Sequence, residues 1–232
     1  MNSYITIAEN INRVRESIAE AAIASGRAPE DIRLVAAAKT HSADMVKQAI
    51  AAGVDAVGEN RVQEMLQKHE LGAYTDAPLH FIGHLQSNKV RQIVGVCDLI
   101  ESVDSVALIE LIGRKAVSLG LVQDVLIEVN IGGEMQKAGV LPEHLSEILE
   151  FASRTEGIKV LGLMAIPPFC EENERNCNYF DAIFQLFVDI GRKKYDNVSM
   201  QLLSMGMSDS FCDAIRAGSN MVRIGSAIFG NR

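Results

Sequence analysis

The stretch Ile32-Arg33-Leu34-Val35-Ala36-Ala37-Ala38-Lys39-Thr40-His41-Ser42 decides how this chain is read. An apolar run short enough for a buried strand closes on a lysine, and a turn-like Thr-His-Ser follows at once. Burial disfavours the ammonium form of a lysine, and a neutral amine attacks an aldehyde or ketone to form a Schiff base. Lys39 is therefore a candidate covalent anchor. The alternative is a lysine at a strand terminus whose ammonium snorkels to water. What surrounds it decides between the two.

Upstream, Ile7, Ile11, Val14, Ile18 and Ala22 recur at intervals of three and four, which predicts an amphipathic helix over about 4–25, ended by Gly26. Downstream, strand-like runs fall at 56–58, 79–83, 96–100, 125–130, 160–164, 200–204 and 221–224, joining 32–38. Helical periodicity fills most of the gaps, as in Val106, Ile109 and Ile112 or Phe180, Ile183, Phe184 and Phe187. Short apolar strands alternating with amphipathic helices predict a parallel sheet, and a count of eight favours an α/β fold closed as a (β/α)8 TIM barrel with an extra N-terminal helix. A doubly wound open sheet is the competitor, weakened by the lack of a GxGxxG after the first strand. No Pro-, Gly- or Ser-rich linker divides the chain, so residues 1–232 are expected to form one domain.

Composition narrows the classes. The 232 residues are 48% hydrophobic and 22% charged, which is ordinary for a globular protein, and the net charge of -8 argues against a nucleic-acid-binding surface. Glu9, Arg13, Arg15, Glu16 and Glu20 interrupt the first 25 residues, and no run is long enough to span a membrane, so a cytosolic protein is expected. Cys97, Cys170, Cys177 and Cys212 form no CxxC pair and read as reduced thiols, with Cys170 and Cys177 placed on an exposed loop. The five histidines form no HExxH, so no metal site is expected.

In such a barrel the active face lies at the carboxyl ends of the strands. There stand Lys39, Asn60, His84, Asn130, Met164, Ser204, Ser208, Arg223, Gly225 and Ser226. The last two strand ends suit a phosphate monoester. Ser208, followed by Asp209 and a helical run, reads as an N-cap whose hydroxyl and neighbouring amides face an anion, and Gly225-Ser226 follows strand eight where barrels often bind phosphate. An ordinary helix cap at Ser208, a turn glycine at 225 and a structural salt bridge at Arg223 are the competing readings. Asn60 and His84 could orient a ligand or satisfy local backbone groups.

Taken in order, Ala38-Lys39-Thr40, Gly58-Glu59-Asn60, the run from His80 to Lys89, Gly162-Leu163-Met164, the run from Leu203 to Ser208, and Val222-Arg223-Ile224-Gly225-Ser226-Ala227-Ile228-Phe229-Gly230 resemble the YggS/PROSC family of pyridoxal phosphate homeostasis proteins nearly end to end. The resemblance implies a fold similar to the barrel domain of alanine racemase and pyridoxal 5'-phosphate as cofactor, held as a Schiff base on Lys39. It implies phosphate contacts from Ser208, Gly225 and Ser226, with Arg223 facing the pyridine nitrogen. Asn60 and Ser204 would stand in the pocket wall and Met164 near the ring. Where this chain has Ser226 the family often has threonine, and the hydroxyl is kept.

A guanidinium cannot accept a proton from the pyridine nitrogen, so the ring would be a weaker electron sink than one facing a carboxylate. The racemases sharing this barrel carry a second, β-rich domain that supplies a tyrosine base. This chain ends at Arg232, and Tyr4, Tyr74, Tyr179 and Tyr195 stand at no expected strand end. The expected function is non-enzymatic: a monomer that stores, buffers or delivers pyridoxal phosphate, with pyridoxal-phosphate-dependent apoenzymes as recipients. A small amino-acid racemase with Lys39 as its base is the alternative, and a cofactor-free Schiff-base aldolase a third.

Overall fold

A computed structural model describes residues 6–168 and 176–230. Eight parallel strands close into a barrel in sequence order: β1 (Arg33–Ala37), β2 (Ala56–Glu59), β3 (Leu79–Phe81), β4 (Leu99–Val103), β5 (Gln123–Val129), β6 (Ile158–Ala165), β7 (Val198–Ser204) and β8 (Met221–Ile224). Outside them run α1 (Ile7–Ala24), α2 (Ala43–Ala51), α3 (Val62–Glu70), α4 (Val90–Ile93), α5 (Val106–Ser118), α6 (Leu145–Ser153), α7 (Asn176–Gly191), α8 (Phe211–Arg216) and α9 (Ser226–Phe229). The (β/α)8 barrel with its extra N-terminal helix is as expected. Residues 4 and 5 of that expected helix and Cys170 lie outside the described residues, and Cys177 falls in the first turn of α7 rather than in a loop.

Strand alternation sorts the side chains into two cores. Inside the barrel Val35, Ala56, Leu99, Leu126, Met164, Leu202 and Met221 form one buried cluster, each from a different strand. Outside it Leu34, Ala36, Val57, Phe81, Ile100, Ile127 and Leu163 pack against the helices. Strand stagger is fixed by residues just before β2, β4 and β8. Asp55 and Asp98 accept the Leu34 and Leu79 amides at 2.6 and 2.7 Å, and Asn220 accepts the Leu203 amide at 2.7 Å.

Simple alternation fails in β6. Leu126 pairs with Gly162 although Val125 pairs with Val160, so Leu161 is an extra residue and the register shifts. The bulge needs glycine: at Gly162 φ is +154°, and a Cβ there would strike the Leu202 carbonyl. Beyond it Met164 points into the barrel and Leu163 out to the helices.

Helix α1 opens with a capping box, in which the Glu9 amide donates to the Thr6 hydroxyl at 3.2 Å and the Thr6 amide to the Glu9 carboxylate at 2.7 Å. It packs against α2, α8 and α9, and Asn10 Nδ2 donates to the Ile228 carbonyl at 2.9 Å. The N-terminal helix thereby holds the short helix after β8 in place.

The fourth strand differs from expectation. It covers Leu99–Val103, three residues later than the apolar signal at 96–100. Val96 and Cys97 lie in the turn leaving α4, and the strand instead includes Glu101 and Ser102, both buried. Polar residues inside the barrel break the apolar pattern on which the sequence reading relied.

Candidate functional site

A cleft of about 450 Å³ opens at the carboxyl ends of β1, β7 and β8. Lys39 and His41 line it from beyond β1, Ser208 and Asp209 from beyond β7, and Arg223, Gly225 and Ser226 from β8 and its following turn.

Lys39 is not buried. Strand β1 ends at Ala37, and Lys39, two residues on, is exposed and lines the cleft. The sequence reading extended the strand because Ala38 is apolar. That residue is buried against the helices, and the chain turns immediately after Lys39. Thr40 takes the left-handed conformation, with φ of 66°, which is uncommon for a β-branched residue. Helix α3 holds the main chain on both sides of the lysine. Lys68 Nζ donates to the Ala38 carbonyl at 2.8 Å, and the Thr40 amide donates to Glu64 Oε2 at 2.9 Å. Lys68 is in turn fixed by Glu59 at 2.6 Å, and Tyr74 donates its hydroxyl to the same carboxylate oxygen at 2.9 Å. Burial pushes the Glu59 carboxyl up, against the opposing hydrogen bonds from Lys68 and Tyr74. His41 stacks on Phe229 with ring centroids 4.4 Å apart, which ties the β1 turn to α9.

Ser208 is not an N-cap. Helix α8 begins at Phe211 with Ser210 at the cap position, where the Ser210 hydroxyl accepts the Met207 amide at 3.2 Å. That turn leaves Ser208 free of the helix and directed at β8. Its hydroxyl accepts the Gly225 and Ala227 amides, each at 3.3 Å, around the first turn of α9. These are long bonds from amides with no intrahelical partner, a better match for an oxyanion than for a hydroxyl. Space is tight on the β1 side, since a Cβ on Gly225 would lie 3.3 Å from the Ala37 carbonyl.

Arg223 lines the cleft although its residue exposure is only 4%. Its Nη1 donates to the Ser204 hydroxyl oxygen and its Nη2 to the Ala165 carbonyl at 3.0 Å. The Ser204 hydroxyl donates to Glu101 Oε2 at 2.6 Å, and that oxygen is 3.7 Å from Arg223 Nη1. Glu101 Oε1 lies 2.7 Å from His80 Nδ1. Burial alone would raise the Glu101 carboxyl, but His80, Arg223 and Ser204 together hold it below the usual carboxylate range. Arg223 is thus both a cleft residue and a member of a buried ion pair, so the two readings of it are not exclusive. Glu128, on β5, is the second carboxyl in reach of this arginine. Desolvation and then Asp104 push it up to about 7, against the opposing charge of Arg223.

The remaining expected residues divide. Ser204 touches the cleft only through Arg223. Asn60 follows β2, and its buried Oδ1 has no hydrogen-bond partner among the described residues. Met164 is fully buried in the inner cluster, and His84 is mostly exposed, 3.8 Å from Asp104. Sequence reasoning missed Glu101, His80, Glu128 and the Glu59–Lys68 pair. A signal for Glu101 existed in Leu99-Ile100-Glu101, where a carboxylate alternates with apolar residues, but the strand was placed too early to use it.

A (β/α)8 barrel whose strand ends gather a lysine, an arginine and a hydroxyl-lined amide cup is the arrangement of one barrel class, and residues 6–232 match the family described as alanine racemase, N-terminal domain. Among curated proteins, the pyridoxal phosphate homeostasis proteins of Aquifex aeolicus and Escherichia coli K12 are 42% and 38% identical to this chain, each aligned over 97% of both chains. Among solved structures, a protein of unknown function from Bifidobacterium adolescentis superposes with a TM-score of 0.90 at 36% identity, covering 96% of this chain and 94% of that one. PipY of Synechococcus elongatus, solved with pyridoxal phosphate bound, gives 0.84 at 32% identity, covering 97% and 100%. Alanine racemase of Clostridium difficile gives 0.71 at 18% identity, a likeness of fold, with 94% of this chain matching 56% of the racemase. This chain belongs to the YggS/PROSC family of pyridoxal phosphate homeostasis proteins.

Proposed function

We propose that this protein binds pyridoxal 5'-phosphate in the cleft between β1 and β8 and serves to store, buffer or deliver it, without catalysing a reaction of its own. The observation that carries the reading is the gathering, in one cleft, of an exposed primary amine, an amide-and-hydroxyl cup and a buried guanidinium. PipY, the relative solved with pyridoxal phosphate bound, supports it. Ser208, Gly225 and Ser226 would hold the phosphate, where the α9 amides are loosely partnered. Arg223 would face the pyridine nitrogen, and Asn60 would offer to the pocket wall an oxygen without a hydrogen-bond partner among the described residues. When bound, the cofactor supplies an aldehyde that condenses with an amine to a Schiff base, and Lys39 is the amine proposed to carry it.

The residues of this chain bind and orient more than they transfer protons. Arg223 offers donors only, so it cannot stabilise a protonated ring nitrogen. Its charge is already matched by Glu101, so it is not a spare cation for the carboxylate of an amino-acid substrate. Lys39 sits in open solvent, which suits loading and release better than protection of a carbanion. We further propose that residues 1–232 act as one pyridoxal-phosphate-binding unit, a cytosolic monomer with pyridoxal-phosphate-dependent apoenzymes as recipients. Among the described residues no helix is long and apolar enough to cross a membrane.

The test is spectroscopic. Pyridoxal phosphate added to the protein should give a Schiff-base absorbance band that borohydride fixes onto Lys39, read by peptide mass. Lys39→Ala should abolish the fixed adduct while the phosphate contacts retain weaker binding. No band, or fixation elsewhere with Lys39 unmodified, would overturn the assignment. Racemisation of a single L-amino acid clearly above that by free cofactor would favour the small racemase instead.

A further inference from the structure

Glu101 has no solvent exposure, lies on the inward face of β4, and uses both of its carboxylate oxygens. From it a hydrogen-bonded chain runs through the barrel interior. His80 on β3 fixes one oxygen, and Ser204 on β7 joins the other to Arg223 on β8, which also reaches the last carbonyl of β6. The chain begins at a cavity of about 210 Å³ at the amino-terminal mouth, which His80 lines with Asp98 and Asp124. It ends in the cleft at the opposite mouth, which Arg223 lines.

A guanidinium is a rigid planar fork, so its direction is set when acceptors take the N–H groups on one side. Arg223 has such acceptors in Ser204 and Ala165, with the Glu101 carboxylate 3.7 Å away as the matching charge. The Ser204 hydroxyl gives its proton to Glu101, which turns its lone pairs toward Arg223. Remove that acceptor and the hydroxyl proton has to turn elsewhere. Resting on the reading of the cleft as a pyridoxal phosphate site, we infer that Glu101 is a positioning residue. It orients the Arg223 guanidinium toward the ligand through Ser204, while His80 fixes Glu101 from the side away from the cleft. Glu101 itself does not line the cleft, so its effect passes through Arg223.

Glu101→Gln keeps the volume, removes the charge and replaces with a donor one of the two acceptor oxygens that His80 and Ser204 now share. In ligand-free 15N-labelled protein, the Arg223 side-chain signals, assigned by their absence in Arg223→Lys, should be resolved in the wild type and collapse or exchange rapidly in Glu101→Gln. Ser204→Ala keeps the Glu101 charge but cuts the link, and should show the same change in lesser degree. It supplies the readout if Glu101→Gln does not fold. With pyridoxal phosphate added, Glu101→Gln should still be fixed on Lys39 by borohydride, but with about 10-fold weaker binding, as for outer partners of metal ligands, and a displaced absorbance maximum. Arg223 signals identical to wild type in both variants, or unchanged affinity and spectrum in the loaded variants, would overturn the inference. A wild type that binds no pyridoxal phosphate would instead remove the cofactor reading, and the ligand-free spectra would still decide whether Glu101 holds Arg223.

Discussion

Glu59 and Glu101 are both fully buried carboxylates, yet they stand on opposite sides of the barrel wall and their carboxyls are shifted in opposite directions. Glu59 faces the helices, pairs with Lys68 and accepts from Tyr74, and its Oε2 has no hydrogen-bond partner among the described residues. Glu101 faces the interior, has both oxygens engaged and is joined to an arginine. The first is raised and the second lowered, because the donors around Glu101 outweigh its desolvation and those around Glu59 do not. Each supports one cation of the cleft from behind. Through Lys68, Glu59 steadies the carbonyl just before Lys39, and Glu101 steadies Arg223. The lysine and the arginine of the cleft thus have separate foundations.

The comparison breaks most visibly in stability. Glu101→Ala should lower unfolding free energy by about 3–5 kcal/mol, since it leaves a buried guanidinium that cannot lose its proton. Glu59→Ala should cost only about 1–3 kcal/mol, because Lys68 keeps the Ala38 carbonyl as an acceptor. Urea titrations of both variants check the order, and equal losses would erase the distinction.

Glu128 sharpens the contrast by sharing Arg223 without the hydrogen bonds. With its folded pKa near 7, above the ordinary value of 4.5, the folded state keeps a proton that the unfolded chain has already released. Its contribution is therefore present below pH 4.5 and lost as pH rises to 7, on the order of 3 kcal/mol at 1.36 kcal/mol per unit. Glu128→Gln should flatten that part of the stability–pH curve. Glu101, shifted the other way, contributes above the ordinary carboxylate range and loses its effect as pH falls through its lowered value. The smallest effect is expected of Tyr74→Phe, which removes one hydrogen bond from Glu59, about 1 kcal/mol by thermal or chemical unfolding. It should leave the Arg223 signals untouched, as separate foundations require.

The barrel was legible because its outward strand faces are continuous apolar runs, and the strand ends Lys39, Ser208, Arg223 and Gly225 stood out as polar or glycine punctuation. What lay inside was not. Ile100-Glu101-Ser102 reads as the start of a loop, because an interior carboxylate with three partners looks in sequence like an exposed one. The exposure of Lys39 followed from the turn at Thr40, and the release of Ser208 from Ser210 taking the cap. Both depend on backbone direction rather than residue type.

The extra residue in β6 makes strand length itself a functional variable. Exchanging Leu163 or Met164 for another apolar residue alters only volume, but losing one residue at the bulge would exchange inside for outside from there to the strand end. The carbonyl of Ala165 that receives Arg223 belongs to that segment. Over this stretch an insertion or deletion is a more radical event than a substitution, and a gap in an alignment of related chains at 161–162 would mark a different arginine environment.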